Sequence, residues 1–89
     1  MSERTAVIAS RVGLHARPAS LFIDAVKRQT VKVTIAKGDS GALNAASILS
    51  IMSLGAANGE TVTLTAEGDG ADAALTELVA LLETDLDAD

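Results

Sequence analysis

The sequence predicts an α+β fold with the element order βαββαβα, in which helices cover one side of a sheet. Apolar and polar residues alternate over 31–36 and 61–66, which is the period of half-buried strands. Apolar residues recur at helical spacing over 16–28 and near the end of the chain. Because each strand has one apolar face, we expect an open-faced two-layer sandwich with three helices on one face. The 89 residues fit a single domain, 1–89.

The first half of the chain predicts a strand over 6–9, entered through residues 4 and 5, then a helix over 16–28. The apolar positions of this helix include Ala19, Phe22, Ile23 and Val26. Its start is open between Ala16 and Pro18, since proline suits the first helical position but disfavours helical geometry in the residue before it. A strand over 31–36 follows.

The second half predicts four further elements separated by turns at 38–41, 58–59 and 68–70. The first three are a short strand over 42–44, a two-turn helix over 47–54 and a strand over 61–66. Ser47 should cap the two-turn helix, and Gly55 lies just past its end. The last helix should anchor the core through an apolar stripe of Leu75, Leu78, Val79, Leu82 and Leu86.

Composition excludes several function classes. The chain has no cysteine, which excludes disulfides and thiolate metal sites. Phe22 is the only aromatic residue and the net charge is −5, so a nucleic-acid partner is not expected. All seven basic residues lie in 1–37 beside two acids, whereas 38–89 hold ten acids and no base. A small anion or an acidic partner would therefore approach the first half, unless the charge split is a matter of chance.

The sequence predicts a cytoplasmic protein without membrane insertion. No basic segment followed by an apolar run opens the chain, so we expect no secretory signal. Residues 40–59 are uncharged over a transmembrane length, but nine of these 20 residues are Ser, Gly or Asn. A lipid-spanning helix would not carry that many polar residues.

His15, the only histidine, stands where a loop becomes a helix. The unpaired N–H groups of a helix N-terminus attract anions, and Arg17 adds a cation. Pro18 has no N–H to lose there. Both the helix dipole and Arg17 disfavour the imidazolium, so we expect a neutral, nucleophilic ring whose phosphorylated form the same groups would stabilise. The alternative is a merely solvated histidine.

The two-turn helix over 47–54 offers a second candidate site. Its serines form a narrow polar stripe, and so short a helix can bury only about half its circumference. Some of Ile48, Leu49 and Met52 should therefore form an exposed apolar patch, which favours a partner surface. The alternative is a helix whose apolar residues all serve the core. Ser47 fits a phosphorylation site, and its capping role explains it equally well.

The segment Gly-Leu-His-Ala-Arg-Pro-Ala at 13–19, with Ala-Ser-Ile-Leu-Ser-Ile-Met-Ser-Leu-Gly at 46–55, resembles the histidine-containing phosphocarrier proteins (HPr) of the bacterial sugar phosphotransferase system. The resemblance covers essentially the whole chain and implies an antiparallel sheet of order 1-4-2-3. It implies that His15 accepts a phosphoryl group on Nδ1 from phospho-Enzyme I, which is charged by phosphoenolpyruvate. His15 would pass the group to the IIA (EIIA) domain of a sugar permease, with Arg17 and the Ala16 amide stabilising it.

The same resemblance implies a docking surface and a regulatory position. Both partners would dock on Ile48, Leu49 and Met52, with Ser20 and Lys27 at the rim. Ser47 matches the regulatory serine that an HPr kinase/phosphorylase modifies in some lineages. The chain departs from the family pattern at Ala46, where a basic residue is frequent, and at Asp24, where a lysine is frequent.

Two other functions compete with the phosphocarrier hypothesis. One is a small hydrolase or transferase that uses His15 alone, although no nucleophile is recognisably paired with it. The other is a regulatory, nitrogen-branch relative of the carrier that acts mainly by protein–protein interaction. We expect no cofactor and no metal. Because transient delivery favours small and weak interfaces, we expect a monomer.

Overall fold

The computed structural model describes residues 2–11, 13–14, 16–38 and 41–84. The elements in chain order are β1 (Ser2–Val7), α1 (Ala16–Lys27), β2 (Val33–Lys37), β3 (Leu43–Asn44), α2 (Ile48–Leu54), β4 (Thr61–Ala66) and α3 (Ala71–Leu82). The strands form one antiparallel sheet in the order β1-β4-β2-β3. The predicted element order, fold class and strand order are confirmed.

Strand register places one row of apolar residues on the covered face of the sheet. Ile35 lies opposite Leu64, and Val33 lies opposite Ala66. All four are buried and belong to one cluster with the apolar residues of the three helices. The largest helical contributors are Phe22, Ile51, Leu75 and Leu78. The core therefore lies between the sheet and a single layer of helices.

The other face of the sheet is polar. Thr34 lies opposite Thr65 on the neighbouring strand, and Thr5 lies opposite Thr63. These side chains are half-buried, except that of Thr5, which is exposed. The alternation of β2 and β4 between apolar and polar residues thus matches their two faces, as predicted.

Several predicted boundaries are wrong. The first strand runs over Ser2–Val7 instead of 6–9. Its polar residues pair with β4 through the backbone while most of their side chains stay exposed at the sheet edge, so no apolar pattern marks them. The second strand begins at Val33 instead of residue 31, because its ladder starts opposite Ala66, where β4 ends. The first helix ends at Lys27, and residue 28 belongs to the turn that follows.

The last two helices follow the predicted pattern closely. The side chain of Ser47 caps α2, and Gly55 ends that helix in the left-handed conformation at φ +61°. In α3, Leu75, Leu78 and Leu82 are buried and Val79 is half-buried against the core, whereas residue 86 of the predicted stripe lies outside the described residues. None of the helices in the described ranges combines the length and apolar content needed to cross a bilayer.

Candidate functional site

The candidate phosphorylation position lies between two described residues. His15 itself lies outside the described residues, while Leu14 and Ala16 on either side of it are described. Leu14 is buried, and its backbone N–H donates to the carbonyl of Ala56 at 2.8 Å. Ala16 is the first residue of α1, which settles the start left open by the sequence. A hydrogen-bonded residue therefore precedes position 15, and the start of α1 follows it.

Gly13 makes the tie to Ala56 possible. Its φ is +78°, and its N–H donates to the carbonyl of Ser10 at 2.9 Å, closing a turn. A Cβ built on Gly13 would stand 2.6 Å from the carbonyl oxygen of Ala56 and 2.9 Å from the Cα of Ala57. Any other residue would need a left-handed backbone and would also collide with the neighbouring main chain.

The first turn of α1 is electropositive. It contains no acidic side chain that would offset the positive end of the helix dipole. Arg17 is exposed there, whereas Pro18 and Ala19 are buried. Because the first N–H groups of a helix have no intrahelical acceptor, this turn can receive an anion. The proline falls in the first turn, where a missing N–H costs no hydrogen bond.

The short helix α2 exposes the larger part of the expected apolar patch. Leu49 is 77% exposed and Ile48 is 49% exposed, whereas Met52 is half-buried against the core. The other face of α2 is packed, with Ile51 and Leu54 buried. Ser47 is half-buried, and its Oγ accepts from the backbone N–H of Ser50 at 3.3 Å. The capping role of Ser47 is therefore confirmed.

The first helix presents polar residues beside this patch. Ser20, Asp24 and Lys27 are exposed and share a face of α1 by their spacing. α1 packs against α2. Lys27 also lines an open groove of about 480 Å³ against β2 and β3, which neither Arg17 nor any residue of α2 lines. Across the described ranges, no three His, Cys, Asp or Glu side chains come together as metal ligands.

Sequence reasoning missed the residues that hold the loop after α2. The sequence predicts only a turn at Asn58, yet its side-chain amide donates to backbone carbonyls of residues 8–10. The backbone N–H of Ala57 and the ammonium of Lys37 donate to the carboxylate of Glu60, and in that order they lower the pKa of Glu60 from its ordinary value. Except for the local bond between Ala57 and Glu60, these contacts join residues far apart in sequence, so no local pattern signals them.

Comparison with protein families gives one assignment over nearly the whole chain. Residues 2–84 match the family described as PTS HPr component phosphorylation site. The chain is 45% identical over 87 residues to the phosphocarrier protein HPr of Streptomyces coelicolor, covering 98% of this chain and 94% of the relative. It is also 36% identical over 85 residues to the phosphocarrier protein NPr of Shewanella violacea, covering 96% of this chain and 92% of the relative.

Solved structures agree with this assignment. The crystal structure of HPr-C-His from Thermoanaerobacter tengcongensis has a TM-score of 0.86 and 42% identity, covering 93% of this chain and 92% of that one. The crystal structure of an HPr dimer from the same organism has a TM-score of 0.70 at 42% identity, covering 93% and 94% of the two chains.

Proposed function

The chain belongs to the HPr family of the phosphotransferase system, and from that premise we propose that it is a phosphocarrier acting as one domain, 1–89. His15 receives a phosphoryl group from phospho-Enzyme I and delivers it to IIA domains of sugar permeases. With the proton on Nε2, the Nδ1 lone pair of neutral His15 attacks phosphorus. An N–P bond forms while the donor's bond to phosphorus breaks, and that electron pair leaves with the donor.

The observation that carries this proposal is the electropositive start of α1. A phosphorylated histidine at position 15 adds a dianion directly before a helix whose first turn has no acidic side chain. The backbone N–H of Ala16 and the guanidinium of Arg17 are the donors we assign to it, and Pro18 leaves its place in that turn free of an unpaired N–H. The same groups disfavour the imidazolium form of His15, so the ring stays neutral and can attack phosphorus.

The docking surface of the proposal spans two helices. Ile48, Leu49 and Met52 form its apolar centre, and Ser20 and Lys27 form its rim. The large exposed fractions of Ile48 and Leu49 support this role, because exposed neighbouring apolar residues mark interaction sites. Met52 contributes through the part of its side chain that the core leaves exposed.

Phosphoryl transfer with purified proteins tests the proposal. The wild-type protein, incubated with phosphoenolpyruvate and a matched Enzyme I, should gain one acid-labile phosphoryl group in its intact mass. His15→Ala should gain none, and the loaded wild-type protein should lose its group on addition of a IIA domain. A wild-type protein that stays unmodified would overturn the proposal. Multiple turnover of a small substrate without partners would instead favour a hydrolase.

A regulatory carrier is the second candidate, and its support is the similarity to a relative named NPr. Deletion of the gene for this protein distinguishes the sugar carrier from the regulatory carrier. Loss of sugar uptake supports the sugar carrier, whereas intact uptake with altered gene expression supports the regulator. An HPr kinase/phosphorylase acting on Ser47 would be a further regulatory input in either case.

We also propose a cytoplasmic monomer that needs neither cofactor nor metal. Light scattering at working concentrations should give the mass of one chain. A mass of two chains would place this protein with the related dimer.

A further inference from the structure

The loop over 55–60, which joins α2 to β4, packs against the segment that leads to His15. Ala56 accepts the N–H of Leu14 at 2.8 Å. The backbone of Ala56 and Ala57 fills the space beside the Cα of Gly13. The position of the residue before His15 therefore depends on how firmly this loop is itself held.

Asn58 fastens the loop to residues 8–10. Its Nδ2 lies 3.1 Å from the carbonyl of Ala9, 3.2 Å from that of Ser10 and 3.4 Å from that of Ile8. An amide nitrogen has only two hydrogens, so the two shorter contacts are the stronger ones. The carbonyl of Ser10 also accepts from Gly13, so Asn58 holds the turn that ends beside His15.

Glu60 fastens the loop from its other end. Its Oε1 accepts from the backbone N–H of Ala57 at 2.7 Å and from the ammonium of Lys37 at 3.3 Å. The same ammonium donates to the carbonyl of Gly55 at 3.1 Å. Lys37 ends β2, so these bonds connect both ends of the loop to the sheet.

We propose that Asn58 and Glu60 are positioning residues for phosphoryl transfer at His15. They hold the 55–60 loop, and the loop holds Gly13 and Leu14, which directly precede His15. The part of this inference that concerns phosphoryl transfer rests on the proposed function. Reacting groups need alignment within a fraction of an ångström, and a displacement of about 1 Å can cost about 100-fold in rate.

The test uses Asn58→Leu and Glu60→Gln in the full chain, each close in size to the native residue. Glu67→Gln is the matched control for charge, since Glu67 is an exposed carboxylate just past β4. Val79→Ala, on the half-buried side of α3, is the control for lost stability. Two readouts are measured: the titration of the His15 imidazole by ¹⁵N NMR in the unphosphorylated protein, and the kcat and KM of Enzyme I for each variant.

We expect both loop variants to move the His15 titration midpoint and to lower kcat by about 10-fold or more with KM unchanged, because the docking residues are untouched. Both controls should keep the wild-type titration midpoint and the wild-type kcat, although Val79→Ala is expected to be less stable. Loop variants that lose stability but keep the wild-type titration and kcat would overturn the inference. If Asn58→Leu fails to fold, Glu60→Gln decides alone. If Enzyme I never modifies the wild type, the proposed function fails, and the partner-free titration still decides whether the loop positions the ring.

Discussion

Leu14 donates its backbone N–H to the carbonyl of Ala56, so the residue before the candidate phosphorylation site is tied to the second residue beyond α2. One hydrogen bond thus connects the loop proposed for chemistry with the end of the helix proposed for docking.

Gly13→Ala should destabilise the protein more than Gly59→Ala. Both glycines have a positive φ, +78° and +85°, which costs about 1–2 kcal/mol for any other residue. Only at Gly13 would the new Cβ also meet backbone atoms within 3 Å, which adds about 1–3 kcal/mol for the forced shift. Urea unfolding of the two variants measures the difference. Equal losses would show that the close approach to Ala56 has no energetic consequence.

Leu78→Ala should lower the free energy of unfolding by about 2–5 kcal/mol, since the side chain is fully buried in the centre of α3. Leu49→Ala is the control, and it should change stability by no more than about 0.5 kcal/mol because most of Leu49 is exposed. Chemical denaturation checks both. A similar loss in the two variants would contradict the assignment of Leu78 to the core.

Leu49→Ser should raise the KM of phospho-Enzyme I for this protein by about 10-fold, as expected when a central apolar contact is lost from an interface. The kcat and the unfolding midpoint should stay near the wild type. Val7→Ser removes an apolar side chain that is also exposed, at 46%, but lies on β1. Its KM should not change, and an equal rise in both variants would argue against a surface centred on α2.

Ser47 can be tested separately as a cap and as a regulatory position. Ser47→Ala should cost about 0.5–1 kcal/mol of stability, because the N–H of Ser50 loses its acceptor. Ser47→Asp keeps an acceptor and adds a negative charge, so its stability should stay near the wild type. If Ser47 is regulatory, transfer from Enzyme I should fall in Ser47→Asp and not in Ser47→Ala. Equal transfer in both variants would leave Ser47 as a cap alone.

The lowered pKa of Glu60 predicts a pH-dependent contribution to stability. A carboxyl group whose pKa is lower in the folded than in the unfolded state stabilises the fold above its unfolded value of about 4.3, and this is lost as the pH falls through the folded value. Glu60→Gln should therefore be less stable than the wild type at neutral pH and should approach it in acid. Urea midpoints across that range test this, with Glu67→Gln as the control. A pH-independent gap would contradict the assignment.

Much of the fold follows from the periodicities in the sequence. The alternation in β2 and β4 and the stripe of α3 predict the covered face, and Ser47 and Gly55 predict the ends of α2. β1 escapes this reasoning because it is an edge strand whose first four residues are polar, three of them exposed. The contacts of Asn58 and Glu60 also escape it. Except for the local bond between Glu60 and Ala57, they join residues that are 23 to 50 positions from each other in the sequence.

The helix α2 contains no charged residue, whereas the exposed face of α1 carries Arg17, Asp24 and Lys27. Added salt screens the attraction between exposed charges over about 8 Å at physiological ionic strength, and it leaves the burial of apolar surface almost unaffected. For a partner that covers both helices, added salt would therefore slow association by weakening the attraction to the charges of α1, and α2 would not contribute to this effect. The hold that α2 exerts after contact would persist, so association and dissociation would respond to ionic strength to different degrees.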